Sequence, residues 1–335
     1  YSIFNNKNSS EQRDLVKKHS SHFFDLDEMS TIECVKLIES HNIDILVDLA
    51  GYTKNARTEI FLYKPASILI NYLGFPETMG SKHYDYIISD NTSTSDVNKE
   101  FISEKIIYLP KTYFTYDDAL TAEKNLKNSD FGLPENKITL CCLNNINKIS
   151  PIEFDIWMRV LQKHNNSIFV FKTENQYAIE NLIHEAKIRG VEKNRLFFLK
   201  KLPHKKYLAA YNCMDLFLDT FYFNAHSTAL EALYMGVPII TKLGNKIASR
   251  AASGILKAVG MEKLVCKSEE NYEALINFYL DNTDNLINLK KEILKNKKES
   301  ILFDNKNFVN NIEKAYKKVY NNFHKNLDAE NIFVE

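Results

Sequence analysis

The sequence predicts an α/β protein of two globular halves, the second of them a doubly wound parallel sheet. Three observations predict it. A chain of 335 residues is longer than a usual single core, so two domains of roughly 100–200 residues each are expected. Apolar runs of strand length in the first part are hydrophobic almost throughout, as strands buried on both faces are. From Lys137 onward, strand-length and helix-length segments alternate regularly, which is the pattern of βαβ units.

In the first half the strand-like runs are 43–49, 67–73, 84–89 and 105–109, and 31–41 has helical spacing. Turn residues gather around Pro65, Pro76 and 91–96. The polar stretch 111–129 has no period and reads as a linker, so the halves are taken as 1–128 and 129–335. The second half reads as strand 137–143, helix 151–163, strand 167–172, helix 175–189, strand 195–199, helix 204–212, strand 215–219, helix 227–235, strand 237–241, helix 248–259 and strand 263–266. After Glu269 the chain reads as helical, and the Asn/Lys-rich 283–325 stretch as a solvated helical surface. Doubly wound sheets bind ligands where strand order reverses, at the carboxyl ends of the strands. The loops after those strands are therefore where chemistry is expected.

Composition excludes several classes. Hydrophobic residues make up 44% and charged residues 26% of the chain, and no run reaches the ~18 apolar residues of a membrane span. Forty-three basic residues balance 43 acidic ones, which leaves no global field for nucleic acid or anionic lipid. The expected ligand is small, or a single protein segment. The five cysteines lack metal-ligand spacing and read as reduced, mostly buried thiols. Without a secretory leader, they point to the cytoplasm. The chain opens at Tyr1, which reads as the end of a strand and suggests a fragment of something longer. No P-loop, G-x-G-x-x-G fingerprint, G-x-S-x-G elbow or H-E-x-x-H helix occurs. Asp25-Leu26-Asp27 precedes a helix instead of ending a strand, and reads as structural; no metal site is expected.

The strongest local signal is Leu216 to Glu231, where a buried strand leads through a short loop into a helix that opens with His226, Ser227 and Thr228. The unpaired N–H groups and partial positive charge of a helix start favour an anion. A diphosphate could add hydrogen bonds from the two hydroxyls, and Glu231 could accept from a ribose diol. The competing reading is Thr228-x-x-Glu231 as a capping box. Lys148, in the loop after strand 137–143, could hold a phosphate leaving group through a charge-assisted hydrogen bond. His204, after Leu202-Pro203, occupies a third such loop. In the first half Gly51-Tyr-Thr-Lys54-Asn-Ala-Arg57 and Leu73-Gly74-Phe-Pro-Glu-Thr-Met-Gly80 follow strands, with glycines that permit close approach of backbone to a ligand. Polar loops from both halves suggest an interdomain active site.

Segments 43–57, 71–80, 131–134, 144–151 and 218–238, in this order and spacing, resemble the catalytic region of protein O-GlcNAc transferases and Spindly-type proteins, glycosyltransferase family 41. The resemblance implies a GT-B architecture of two Rossmann-like domains facing an interdomain cleft. It also implies metal-independent inversion at the anomeric carbon and transfer to serine or threonine of acceptor proteins. By position, Lys148 matches the family lysine that stabilises the diphosphate and serves as the catalytic residue. His226, Ser227 and Thr228 match its phosphate-binding motif, and Glu231 its ribose-binding acid. Leu73 and Gly74 match a loop near the sugar; Lys54 and Arg57 stand where the first domain faces the acceptor. Asn145 replaces a glutamine of O-GlcNAc transferases, while His204 and Tyr207, near Leu202, replace a lysine and a histidine around the uracil and phosphate. The implied donor is UDP-GlcNAc, with GDP-fucose the alternative because the Asn144-Asn145 pair resembles Spindly-type proteins. A further alternative is a nucleotide-sugar-binding scaffold without catalysis. The resemblance places a catalytic histidine before Tyr1 and tetratricopeptide repeats upstream; no 34-residue period occurs in this chain.

Overall fold

The computed structural model describes residues 10–117 and 121–335. The expected strand end at Tyr1 and part of the expected linker lie outside the described residues. The chain forms two compact units, one of residues up to Ser89 with Lys99–Tyr113 and Asn311–Glu335, the other of Asp90–Asn98 and Phe114–Asn310.

The first unit holds helices α1 (Glu11–His19) and α2 (Thr31–Ser40) and strands β1 (Ile45–Asp48), β2 (Ile68–Asn71), β3 (Tyr86–Ser89) and β4 (Lys105–Tyr108). Ser30 starts α2 through a reciprocal capping box with Glu33. Cys34, Val35 and Ile38 of α2 pack with Leu26, Ile60, Phe61, Leu69 and Tyr84 into one core cluster. The sheet is parallel throughout, in the order β1-β2-β3-β4-β11. Strand β11 (Ile332–Phe333) was not expected from sequence: a two-residue strand near the chain end carries no period. It pairs beside β4, and the Asn331 side chain accepts from the Ile106 N–H at 2.9 Å.

The second unit alternates β5 (Ile138–Cys142), α3 (Pro151–Lys163), β6 (Ser167–Lys172), α4 (Gln176–Ile188), β7 (Leu196–Leu199), α5 (His204–Ala210), β8 (Leu216–Leu218), α6 (Ser227–Tyr234), β9 (Ile239–Lys242), α7 (Ala251–Ala258) and β10 (Val265–Cys266). Helices α8 (Glu269–Asp281) and α9 (Thr283–Lys297) follow, then α10 (Asn305–His324), whose residues from Asn311 count with the first unit. The sheet order is β10-β9-β8-β5-β6-β7, all pairs parallel. The order runs outward in both directions from the β5/β8 pair, so the reversal point lies between those two strands. Trp157 on α3 is fully buried against Phe169 and donates to the Tyr272 hydroxyl of α8 at 3.1 Å.

This division departs from the expected 1–128 and 129–335. Residues 90–98 and the stretch from Phe114 count with the second unit, and the last 25 positions, 311–335, with the first. Arg250, at the start of α7, donates to the Thr92 carbonyl at 2.7 Å and to the Gly244 carbonyl at 2.8 Å. Thr115 donates to Asn305 at 2.6 Å. Such hydrogen bonds between positions distant in sequence lie within the second unit, and composition does not register them. No helix among the described residues is long and apolar enough to cross a membrane.

Candidate active site at the β5/β8 reversal point

Strand β8 runs out at Leu218, and the next residue, Asp219, is fully buried. Its carboxylate accepts from the N–H groups of Thr220 at 2.9 Å and Ala225 at 2.7 Å, from Asn144 Nδ2 at 3.1 Å and from the Thr241 hydroxyl at 2.7 Å. Four donors from three segments hold the 219–226 loop to the ends of β5 and β9. Burial still pushes the Asp219 carboxyl up to about 6, against the pull of these donors and of the Lys148 charge. Asn144 continues the lattice by accepting from the Thr228 hydroxyl at 2.6 Å.

That last bond replaces the capping box considered for Thr228 and Glu231. The cap position of α6 is His226, at φ −112° and ψ −95°, and it makes no side-chain cap bond. The first N–H groups of α6 have no intrahelical acceptor, so the helix begins with donors at Ser227 and Thr228. The His226 ring packs on Phe223 and Phe114, with centroids 4.8 and 5.6 Å away. Its Nε2 lies 3.3 Å from the Ala248 carbonyl, an acceptor, which fixes the proton on Nε2. Burial first, then the Lys148 charge, lowers the imidazole to about 3, so it stays neutral.

Lys148 ends a short 3-10 turn, Ile146–Lys148, that Asn145 caps. Its ammonium donates to the Asn224 carbonyl at 3.1 Å and sits 3.9 Å from the Phe223 ring centroid. Burial lowers its pKa, and the Asp219 charge opposes the shift.

Beside this loop lies a cavity of ≈ 530 Å³. Seven residues singled out from sequence line it: Asn145, Leu202, His204, Tyr207, Ser227, Thr228 and Glu231. His204 Nε2 lies 3.0 Å from a Glu231 carboxylate oxygen, and Glu231, mostly buried, has its pKa raised by that burial against the effect of His204. Lys148 and His226 do not line this cavity, although their chain neighbours Asn145, Ile146 and Ser227 do. Sequence reasoning missed Lys172, Thr173, Glu174 and Lys201, which also line it, and the buried supports Asn144 and Asp219. A signal existed for Lys172, a charged residue closing the apolar run Ile168–Phe171 at a strand's carboxyl end.

The remaining candidates lie in the first unit. Leu73 has φ +75°, and the Gly74 N–H bonds back to the Tyr72 carbonyl at 3.1 Å, closing a three-residue turn of a rare, strained kind. A side chain at Gly74 would place its Cβ 2.0 Å from the Leu49 carbonyl oxygen. Lys54 is exposed. Arg57 spends its guanidinium on the Leu26 and Met29 carbonyls at 3.2 and 2.8 Å, the Thr31 hydroxyl at 3.0 Å and the Glu59 carboxylate at 3.1 Å. Those bonds brace the segment before α2. Asp25 accepts from Arg13 and from the Asp27 N–H, a structural role. Among the described residues no group of three or more His, Cys, Asp or Glu side chains could hold a metal ion, and all five cysteines are buried and free.

Comparison with known proteins adds the following. The family described as Glycosyl transferase family 41 matches residues 1–129 and 124–312. A curated relative from Arabidopsis thaliana, named the probable UDP-N-acetylglucosamine:peptide N-acetylglucosaminyltransferase SEC, is 32% identical over 96% of this chain and 34% of its own length. A Petunia hybrida relative, named as the probable SPINDLY transferase of the same kind, is 26% identical over 93% of this chain and 34% of its own. The chain thus spans about a third of the length of these relatives. Among solved structures, a mutant of the Thermobaculum terrenum O-GlcNAc transferase superposes with a TM-score of 0.85 at 24% identity, covering 95% of this chain and 61% of that one. Anabaena HepE in complex with UDP gives 0.60 at 12%, covering 91% and 89%.

Proposed function

The chain belongs to glycosyl transferase family 41 and has the GT-B fold, and from that premise we propose that it transfers N-acetylglucosamine from UDP-GlcNAc to serine or threonine hydroxyls of proteins. The observation that carries the reading is the cavity at the β5/β8 reversal point, with Ser227 and Thr228 at a helix start and Glu231 one turn further in. Anions are favoured at such a start, and Glu231 has the acceptor chemistry a ribose diol needs.

In this reading the acceptor hydroxyl attacks the anomeric carbon with inversion. The bond from that carbon to the diphosphate breaks, its electron pair leaves with the nucleotide, and the hydroxyl proton is lost late to the departing diphosphate or to solvent, no residue of this chain being assigned as its base. The N–H groups of α6 and the Lys148 ammonium, swung from the Asn224 carbonyl, take up the developing charge; no metal is assigned a part. Asn145, Leu202, His204 and Tyr207 complete the nucleoside side. Leu73 and Gly74, with Lys54 and Arg57, are assigned to the sugar and acceptor side; the bonds of Arg57 to the segment before α2 support a bracing part for it.

The test is transfer of labelled sugar to protein and peptide acceptors with UDP-GlcNAc and, in parallel, GDP-fucose, with and without EDTA. Transfer from UDP-GlcNAc that survives EDTA is expected; transfer from GDP-fucose alone would overturn the donor. Removing one preorganised charge-stabilising donor costs about 10²–10³ in rate, so Lys148→Ala is expected to lose that much kcat while its melting temperature holds. Wild-type turnover in this variant would remove Lys148 from the mechanism.

A further inference from the structure

Resting on that reading of the cavity, we infer that Lys172 is a second donor-binding cation, which grips the diphosphate together with Lys148 and the start of α6.

Lys172 is the last residue of β6, the strand next to β5, and it lines the cavity with Ser227 and Thr228. Its ammonium donates to the Tyr207 hydroxyl at 3.4 Å and stands 4.6 Å from that ring's centroid. An ammonium carries three donors; among the described residues Tyr207 is the acceptor recorded for this one, and no carboxylate forms an ion pair with it. Glu231 is the opposite charge that acts on it, and Glu231 is itself engaged by His204 at 3.0 Å. Lys148 is likewise half-buried, with a carbonyl and a ring in place of a carboxylate. Burial lowers the pKa of both lysines, and the charge of Lys172 contributes to the shift at Lys148.

Two half-buried ammonium groups, Lys172 at the end of β6 and Lys148 in the loop after β5, are costly unless an anion is brought to them. A diphosphate carries that charge; a neutral nucleobase does not. The tyrosines beneath Lys172 join it to the helix that would meet the same phosphates. Tyr211 donates to the Thr228 carbonyl at 3.2 Å, so the Tyr207 hydroxyl, 3.1 Å away, gives its proton to Tyr211 and keeps a lone pair for Lys172. The chain Lys172, Tyr207, Tyr211, Thr228 therefore has one direction and fixes the ammonium relative to the first turn of α6.

The experiment measures affinity of wild type, Lys172→Met and Lys172→Arg for UDP and GDP by calorimetry, and for uridine and guanosine by ligand-observed NMR. A lost charge-assisted hydrogen bond corresponds to about 10- to 100-fold in affinity. Lys172→Met is expected to lose that much for the diphosphate that wild type binds, to stay within about threefold for the matching nucleoside, and to be largely rescued by Lys172→Arg. Should the methionine variant not fold, Lys172→Gln, which keeps a donor to Tyr207, makes the same comparison. Undiminished diphosphate binding, or an equal loss for the nucleoside, would overturn the assignment. If wild type binds neither diphosphate, the reading of the cavity fails first, and visibly so.

Discussion

At the scale of single residues, the site is held by groups whose charge state is decided by burial. His226 is neutral because its ring is enclosed by Phe223 and Phe114, with its pKa down at about 3. A histidine depressed in the folded state binds fewer protons there than when unfolded, so its contribution is intact above about pH 6.5 and is lost as pH falls toward 3. Asp219 has the opposite sign. Raised to about 6 in the folded state, it binds more protons folded than unfolded, so stability falls as pH rises between about 4 and 6. Between pH 7 and pH 5 the histidine contributes an acid penalty of about 2 kcal/mol, and the aspartate offsets part of it. His226→Phe keeps Asp219 and removes the imidazole. Urea midpoints at pH 5 and pH 7 are expected to differ by about 2 kcal/mol less in the variant than in wild type. An unchanged pH slope would mean that the imidazole is not buried neutral.

Elements in this chain are set by their termini and by where backbones touch. Helix α3 was legible to the residue, Pro151–Lys163, because Ser150, Pro151 and Glu153 form a start signal and the apolar face from Phe154 to Leu161 has helical period. Helix α6 was legible as an element, yet its cap was not. Thr228 and Glu231 have the spacing of a capping box, but Asn144 from another strand takes the Thr228 hydroxyl and His204 takes Glu231. The turn after β2 depends on a contact that spacing cannot show, the close approach of Gly74 to the Leu49 carbonyl, whose oxygen a Cβ at Gly74 would meet at 2.0 Å. Gly74→Ala is expected to destabilise by about 1–3 kcal/mol, as overpacking does. Gly132, at φ +68° with open space around a Cβ, gives the contrast: Gly132→Ala is expected to cost about 1 kcal/mol, from the backbone alone. Urea denaturation of both variants separates the cases, and equal losses would remove the steric explanation.

For the whole molecule, the chain termini of each unit matter more than the sequence order suggests. Strand β11 covers the edge of β4, and Asn331 satisfies the Ile106 N–H. Deleting residues 328–335 is expected to raise amide exchange at Ile106, Ile107 and Tyr108 while leaving β5 and β6 protected; hydrogen exchange by mass spectrometry reads both regions at once. In the proposed function the donor binds in the other unit. A nucleoside diphosphate at about 100 times its dissociation constant stabilises by about 2.7 kcal/mol, so UDP is expected to raise the melting temperature. The Lys172→Met variant should need a higher UDP concentration for the same shift.

By itself the sequence determined the alternation of strands and helices, the parallel sheets and the loops at the carboxyl ends of their strands, because apolar period and helix start signals are local properties of the chain. It placed Lys148 in the loop after strand 137–143, and Ser227, Thr228 and Glu231 in the first turns of a helix, for the same reason. Tertiary structure alone decided that Lys172 and Tyr207 share a cavity wall with Ser227, Thr228 and Glu231, that Asp219 lies buried at the start of the loop after β8, that Arg57 bonds to carbonyls, and that residues 311–335 join the first unit. Each of those outcomes depends on which distant segment supplies the partner for a buried polar group or an open sheet edge, and no local pattern encodes that choice.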